Sequence, residues 1–222
     1  MSMSPVPPLS LCVVALLAPL HSFAQAEPSS SAAGGLASAP PVNEWLTYSY
    51  DAQRTAWNRA ETTLTTKNVA KLKVQWSTQL STPPTPVALA TLSPPVVVAD
   101  VSTAQGVKSL LFLLGADDTL FALDVDTGKV LWQKTYANPI KPGRAGNWLC
   151  PKTANATPVI DKAGGVIYFL TSDGKLRGAS LNDGAERLTP TEMVAPFGRA
   201  WALNLIDHVI YTTSGRGCGE DK

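Results

Sequence analysis

Histidine and cysteine, on which metal and redox chemistry most often rests, are scarce here: two histidines and three cysteines in 222 residues. No CxxCH occurs, which excludes covalent haem on this chain, and no CxxC marks a zinc or thiol redox site. Charge of one sign is lacking too. Lys and Arg number 18 against 17 Asp and Glu, a net charge of +1, so no nucleic-acid surface and no acidic tail is written into the composition. After residue 26 no apolar run approaches the roughly 18 residues of a transmembrane span. Proline and glycine are plentiful, at 18 and 16, which suits many turns and few helices.

Leu9 to Leu20 is an apolar core of signal-peptide length, and Ala24-Gln25-Ala26 has the small-x-small pattern of a cleavage site. Residues 1–26 are therefore expected to be a signal peptide and Glu27 the mature start, although no Lys or Arg precedes the core. Cys12 lies inside that core without a lipobox before it, so no lipid anchor is expected there. The expected location is periplasmic or extracellular. Residues 27–42, EPSSSAAGGLASAPPV, have no periodicity and read as a disordered linker.

The chain is organised around Leu111 to Trp132. Leu110 to Leu114 is a short apolar run, Gly115-Ala116-Asp117-Asp118 a turn, and Leu120 to Leu123 a second run. Asp126-Thr127-Gly128 supplies another turn, and Lys129 to Trp132 leads out as a further strand. A shift of 56 residues lays Ile167 to Leu170 on Leu111 to Leu114, Asp173-Gly174 on Asp117-Asp118, Leu176 on Leu120 and Asn182-Asp183-Gly184 on Asp126-Thr127-Gly128. Upstream, Ser93-Pro94-Pro95-Val96-Val97 answers Ala156-Thr157-Pro158-Val159-Ile160, seven residues out of step. Each opens its unit with an innermost strand, the prolines standing where no ladder donor is needed. A third, partial copy runs through Trp201 to Leu205 and Val209 to Thr213. Units of four short strands at this period predict an all-β, antiparallel β-propeller. The expected divisions are a lead-in at 43–80, blades at 92–137 and 156–190, and a partial blade at 200–222. A ring takes at least about four blades, so the expectation is an incomplete propeller from a longer protein.

In the lead-in, Thr66 to Lys71 reads as a helical turn begun by a Thr cap, and Leu72 to Trp76 alternates as a strand. The order Trp45, Tyr48, Asp51, Arg54, Asn58, Leu64, Asn68-Val69, Leu72, Trp76 resembles the N-terminal segment of quinoprotein dehydrogenases and their relatives, the PQQ-binding-like β-propeller repeat proteins. Ala122-Leu123-Asp124, Thr127-Gly128-Lys129 and Trp132 resemble that family's repeat, and the likeness covers residues 43 to 217. It implies a propeller of quinoprotein type whose lead-in closes the ring against the last blade. A ring such as Trp132 at the end of an outer strand packs between blades and buries about 200 Å². Leu188 stands at the matching place in the second unit, and Trp76 in the segment before the first.

The resemblance also implies pyrroloquinoline quinone (PQQ) over the propeller axis with calcium or a lanthanide. The family's usual features are a Glu before the first Thr-Pro strand start, an adjacent cysteine pair and an Arg soon after it. Here the first unit opens Thr91-Leu92-Ser93-Pro94-Pro95, and Asn147 to Lys152 holds a single cysteine with no Arg-Gly following. The cofactor is thus left unknown, with PQQ and calcium lacking their usual ligands, and no catalytic residue or metal ligand is assigned. Asp117, Asp118, Asp124 and Asp126 fall on turns, where Asp caps backbone amides. His208 is read as a surface turn, and Gly215-Arg216-Gly217 lacks the Lys-Ser/Thr and the helix of a phosphate loop. Arg199 and Trp201 precede the third unit's opening strand, at the axial mouth, and are the candidate cofactor-binding pair, the alternative being a guanidinium stacked on an indole at a blade edge. Cys150 and Cys218 either form a disulfide or remain two separate thiols; their spacing does not decide. The expected function is an exported binding or scaffold module with an envelope protein or small molecule as partner. The alternative is a PQQ-dependent dehydrogenase of alcohols or sugars whose catalytic groups lie in later blades.

Overall fold

A computed structural model describes residues 44–82, 91–154, 156–215 and 217–219, all within one unit, Ala39–Lys222. The expected signal peptide at 1–26, the linker at 27–42 and positions 220–222 of the partial blade lie outside the described residues.

The apolar runs and turns build two four-stranded antiparallel sheets. The first holds β1 (Val96–Thr103), β2 (Gly106–Leu114), β3 (Thr119–Asp124) and β4 (Val130–Thr135), in that order. The second holds β5 (Val159–Asp161), β6 (Val166–Leu170), β7 (Lys175–Ser180) and β8 (Glu186–Glu192), also in order. Their registers repeat. Leu111 faces Leu123 as Ile167 faces Ala179, and Ala122 faces Trp132 as Gly178 faces Leu188. The seven-residue slip upstream has a structural cause: β1 and β2 form a longer ribbon, bulged between Val98 and Val101, than β5 and β6.

Period-two alternation divides each strand between two interiors. Ile167, Phe169 and Ala179 of the second sheet meet Val96, Val98, Leu110, Phe112 and Leu120 of the first. Tyr168, Leu170 and Leu176 turn instead toward Ala200, Leu203 and Ile210 of a third unit. That unit is fragmentary among the described residues: β9 (Arg199–Ala200) pairs with β12 (Ser214–Gly215), and β10 (Asn204–Ile206) with β11 (Val209–Tyr211). Asp207 and His208, at φ 49° and 63°, close the β10–β11 hairpin, so His208 is an exposed turn residue.

The lead-in is where structure and sequence expectation part. Residues 69–71 form a 3-10 turn, yet Thr66 is not its cap; Asn68 precedes it, accepting the Thr65 amide at 2.7 Å and donating to the Thr63 carbonyl at 2.7 Å. Leu72 to Trp76 is not a strand either, because no ladder partner stands beside it among the described residues. Residues 44–47 instead run across all three units. Trp45 exchanges two backbone bonds of 2.8 Å with Val97, the Leu46 carbonyl accepts Ile160 N–H at 2.9 Å, and Thr47 Oγ1 donates to the Leu203 carbonyl at 3.2 Å. Glu44, buried, accepts both the Ala99 amide at 3.0 Å and Lys162 Nζ at 2.5 Å.

Candidate functional site

The third unit and the lead-in enclose a cavity of about 660 Å³, lined among others by Tyr48, Arg54, Arg199, Trp201, Asn204 and Tyr211. The openings of β1 and β5 border it through Pro94 and Thr157. Thr157 is tied to the third unit by its amide donating to the Trp201 carbonyl at 3.2 Å and its carbonyl accepting Leu203 N–H at 2.9 Å. The cavity therefore sits at the strand-start end of the blades, where the sequence placed Arg199 and Trp201.

Arg199 is fixed from two sides. One Nη donates to the carbonyls of Trp148 at 3.0 Å and Leu149 at 2.7 Å, and the guanidinium lies 4.6 Å from the Trp201 ring centroid. The guanidinium is thus stacked on the indole, which the sequence offered as the alternative to a ligand role, and both side chains also line the cavity. Arg199 Nε is buried without a partner among the described residues, as is Oδ1 of Asn204, whose Nδ2 donates to the Ala52 carbonyl at 2.9 Å. Arg54, 5.5 Å from the Tyr48 ring centroid, brings a second guanidinium, and no carboxylate is among the described lining residues.

The Trp148–Leu149 carbonyls that hold Arg199 belong to the loop carrying Cys150, which is bonded to Cys218 with Cα atoms 5.4 Å apart. Cys218 Sγ also lies 3.3 Å from the Leu149 oxygen. The disulfide thus pins the loop against the segment just after β12, next to the Arg199 head group.

The four turn aspartates disperse. Asp117 accepts the Thr82 and Thr119 hydroxyls, Asp118 reaches Ser172, and Asp124 takes the Asp126 and Thr127 amides. Lys108, 2.9 Å from Asp124, holds that carboxyl below the ordinary value, aided by the Thr127 bonds and opposed by desolvation. Among the described residues no three His, Cys, Asp or Glu side chains cluster as a metal site would require.

Sequence reasoning missed Tyr48, Arg54 and Asn204 as members of one site. The first two come from the lead-in and the third from β10, and no local period signals an encounter between segments that far apart in the chain.

Residues 45–200 match the family described as "PQQ: Glucose/ethanol/alcohol dehydrogenase, beta-propeller domain". No curated protein matches. The fold is similar to that of quinohemoprotein alcohol dehydrogenase from Comamonas testosteroni, with a TM-score of 0.54 and 19% identity over 81% of this chain and 24% of that one. It is also similar to quinohemoprotein alcohol dehydrogenase ADHIIG from Pseudomonas putida HK5, with a TM-score of 0.53 and 15% identity over 79% of this chain and 23% of that one. BamB from Moraxella catarrhalis aligns at a TM-score of 0.42 and 18% identity, over 63% and 37% of the two chains. The chain spans about a quarter of the length of the two alcohol dehydrogenases, and at these identities the likeness is one of fold.

Proposed function

Since this chain belongs to the family of the PQQ-type β-propeller domain of glucose, ethanol and alcohol dehydrogenases, we propose that it is an exported propeller module that binds a planar, anionic small molecule in the Arg199–Trp201 pocket and supplies no catalytic group of its own. The observation that carries this reading is the make-up of the pocket: two arginines and three aromatic rings, without a carboxylate among the described lining residues. Guanidinium groups pair with carboxylates, and a half-exposed indole offers a stacking surface. Export is supported by the residue pattern of positions 1–26 and by the Cys150–Cys218 bond, which persists in an oxidising compartment. An envelope protein that docks on the propeller is the other kind of partner this role admits.

A second reading draws on the same pocket: a PQQ-dependent dehydrogenase of alcohols or sugars, with its metal ligands and general base supplied from outside the described residues. PQQ is a planar ring system bearing carboxylates, so Trp201, Arg199 and Arg54 are residue types that fit its organic part. When bound, it supplies the two-electron oxidant. This chain's own residues would stack against the ring, pair its charge and exclude water. The two readings separate when full-length protein is titrated with PQQ and Ca²⁺, following tryptophan fluorescence for binding and dye reduction for turnover. Saturable binding that is weakened in Arg199→Ala, with no dye reduction across alcohols and sugars, supports the module. PQQ-dependent dye reduction overturns it in favour of the enzyme, and binding unchanged in Arg199→Ala overturns the assignment of the pocket.

A further inference from the structure

We infer that Asp118 is a proton-controlled latch between the first two blades: its side chain leaves the β2–β3 turn of one blade and closes on Ser172 in the β6–β7 turn of the next. The repeat itself singles this residue out. Asp118 occupies the position that Gly174 fills in the second unit, and both have positive φ, 62° and 80°. At Gly174 a Cβ would stand 2.2 Å from the Val194 carbonyl oxygen, so no side chain fits. At position 118 a side chain is accommodated, and Asp is among the few residues that tolerate this backbone conformation.

Asp118 is 3% exposed. Its Oδ1 accepts the Ser172 amide at 2.7 Å, and its Oδ2 meets the Ser172 hydroxyl. The same hydroxyl oxygen accepts Asn138 Nδ2 at 2.8 Å, and the Ser172 carbonyl accepts the Phe197 amide at 2.7 Å. Ser172 is therefore where a turn of the first blade, the segment after β4 and the segment entering β9 meet. The charges around it are engaged elsewhere. Asp173 and Arg177 of the second blade pair with each other at 2.8 Å, and Asp117 on the same turn takes threonine hydroxyls. Arg177 and Lys134 lie 5.1 and 5.8 Å from the Tyr136 ring, and Lys152 lies 6.0 Å from that of Phe197. The hydrogen-bond partners of the Asp118 carboxyl among the described residues are both on neutral Ser172.

A buried carboxyl with neutral partners favours its protonated form. Burial pushes Asp118 up to about 6 from 3.8, with the negative charge of Asp173 adding to the rise and the Ser172 bonds and Arg177 opposing it. Between those two values the folded protein holds a proton that the unfolded chain releases. The contact is therefore tightest at the acid end of the window and loosens as pH rises through about 6. A displacement of that size corresponds to roughly a hundredfold in the opening equilibrium. Asparagine also tolerates positive φ, and its amide can donate where the carboxylic acid would, so Asp118→Asn imitates the protonated latch at every pH.

Hydrogen exchange at the Ser172 amide of the full chain, corrected for intrinsic rates and compared at about pH 5 and about pH 7.5, reads the latch. Expected is a fall in protection toward the higher pH of roughly tenfold in the native sequence, since only part of the window lies above pH 5, and none in Asp118→Asn. The same fall in both proteins, or in neither, overturns the inference. A carbon-13 titration of the Asp118 carboxyl in the unaltered protein tests it without any variant: a midpoint near 6 supports it, and one at the ordinary carboxylate value overturns it.

Discussion

Two glycines show how single residues seat one blade on the next. Gly128 and Gly184, at φ 70° and 71°, each lie under a tryptophan from the preceding unit, and an added Cβ would come within 2.4 Å of Trp76 or 2.9 Å of Trp132. Each indole also donates Nε1–H to a carbonyl of that turn, Trp76 to Val125 at 2.7 Å and Trp132 to Leu181 at 3.2 Å. Gly184→Ala should therefore cost about 1–3 kcal/mol, combining strained backbone with a displaced ring. Urea unfolding measures it, and a change under about 0.5 kcal/mol would mean that the stack is not formed. Trp132→Leu, which installs the residue that the second unit carries at this place, should cost about 2 kcal/mol through lost area and the lost Leu181 bond. In that variant Gly184→Ala should cost less, because the ring it displaces is gone; equal costs in both backgrounds would mean that the two positions do not interact.

At the scale of elements, the loop carrying Cys150 has one internal backbone bond among the described residues, from Asn147 N–H to the Cys150 carbonyl at 3.0 Å, and is tied to the third unit by the disulfide and by Arg199. Closing that loop constrains the unfolded chain, so Cys150→Ser with Cys218→Ser should lower stability by about 2–4 kcal/mol. It should also release Arg199 and lower ligand affinity before the fold is lost. Unfolding and binding measured on the same sample check both effects, and unchanged affinity would remove the loop from the site. The strands were legible because their determinants are local: short apolar runs, Asp-x-Gly turns and Pro at strand starts marked β2, β3 and their counterparts β6 and β7, while the pairing of Leu111 with Leu123 is seen only in the structure. The segment Leu72 to Trp76 alternates just as well and forms no strand, because a ladder needs a partner as well as a pattern. Asn68 precedes the 3-10 turn without a side-chain cap bond and spends its amide on the upstream Thr63 and Thr65 backbone instead, a choice that the run of Thr and Asn residues does not announce.

At the scale of the whole molecule, the candidate site is the least legible feature, since Arg54 meets the third unit only because residues 44–47 cross all three blades first. The ends of the series are a matter of arithmetic instead. The inner strands β3 and β6 are largely buried, whereas Val74 on the lead-in is 86% exposed and Tyr211 on β11 is 52% exposed. Apolar faces and unpaired edges of this kind favour association with whatever sheet is available, including a second copy. The 222-residue chain expressed alone should accordingly gain mass with concentration in light scattering at constant pH and salt. Val74→Lys with Tyr211→Lys should shift it toward the monomer, since a charge on each face costs its desolvation in any close contact. The double variant leaves the inter-blade contacts at Trp132, Gly184 and Asp118 untouched, so its thermal transition should move little. A chain that is monomeric at every concentration would mean that these faces are satisfied within the molecule, and a variant that associates as strongly as the parent would place the contact elsewhere.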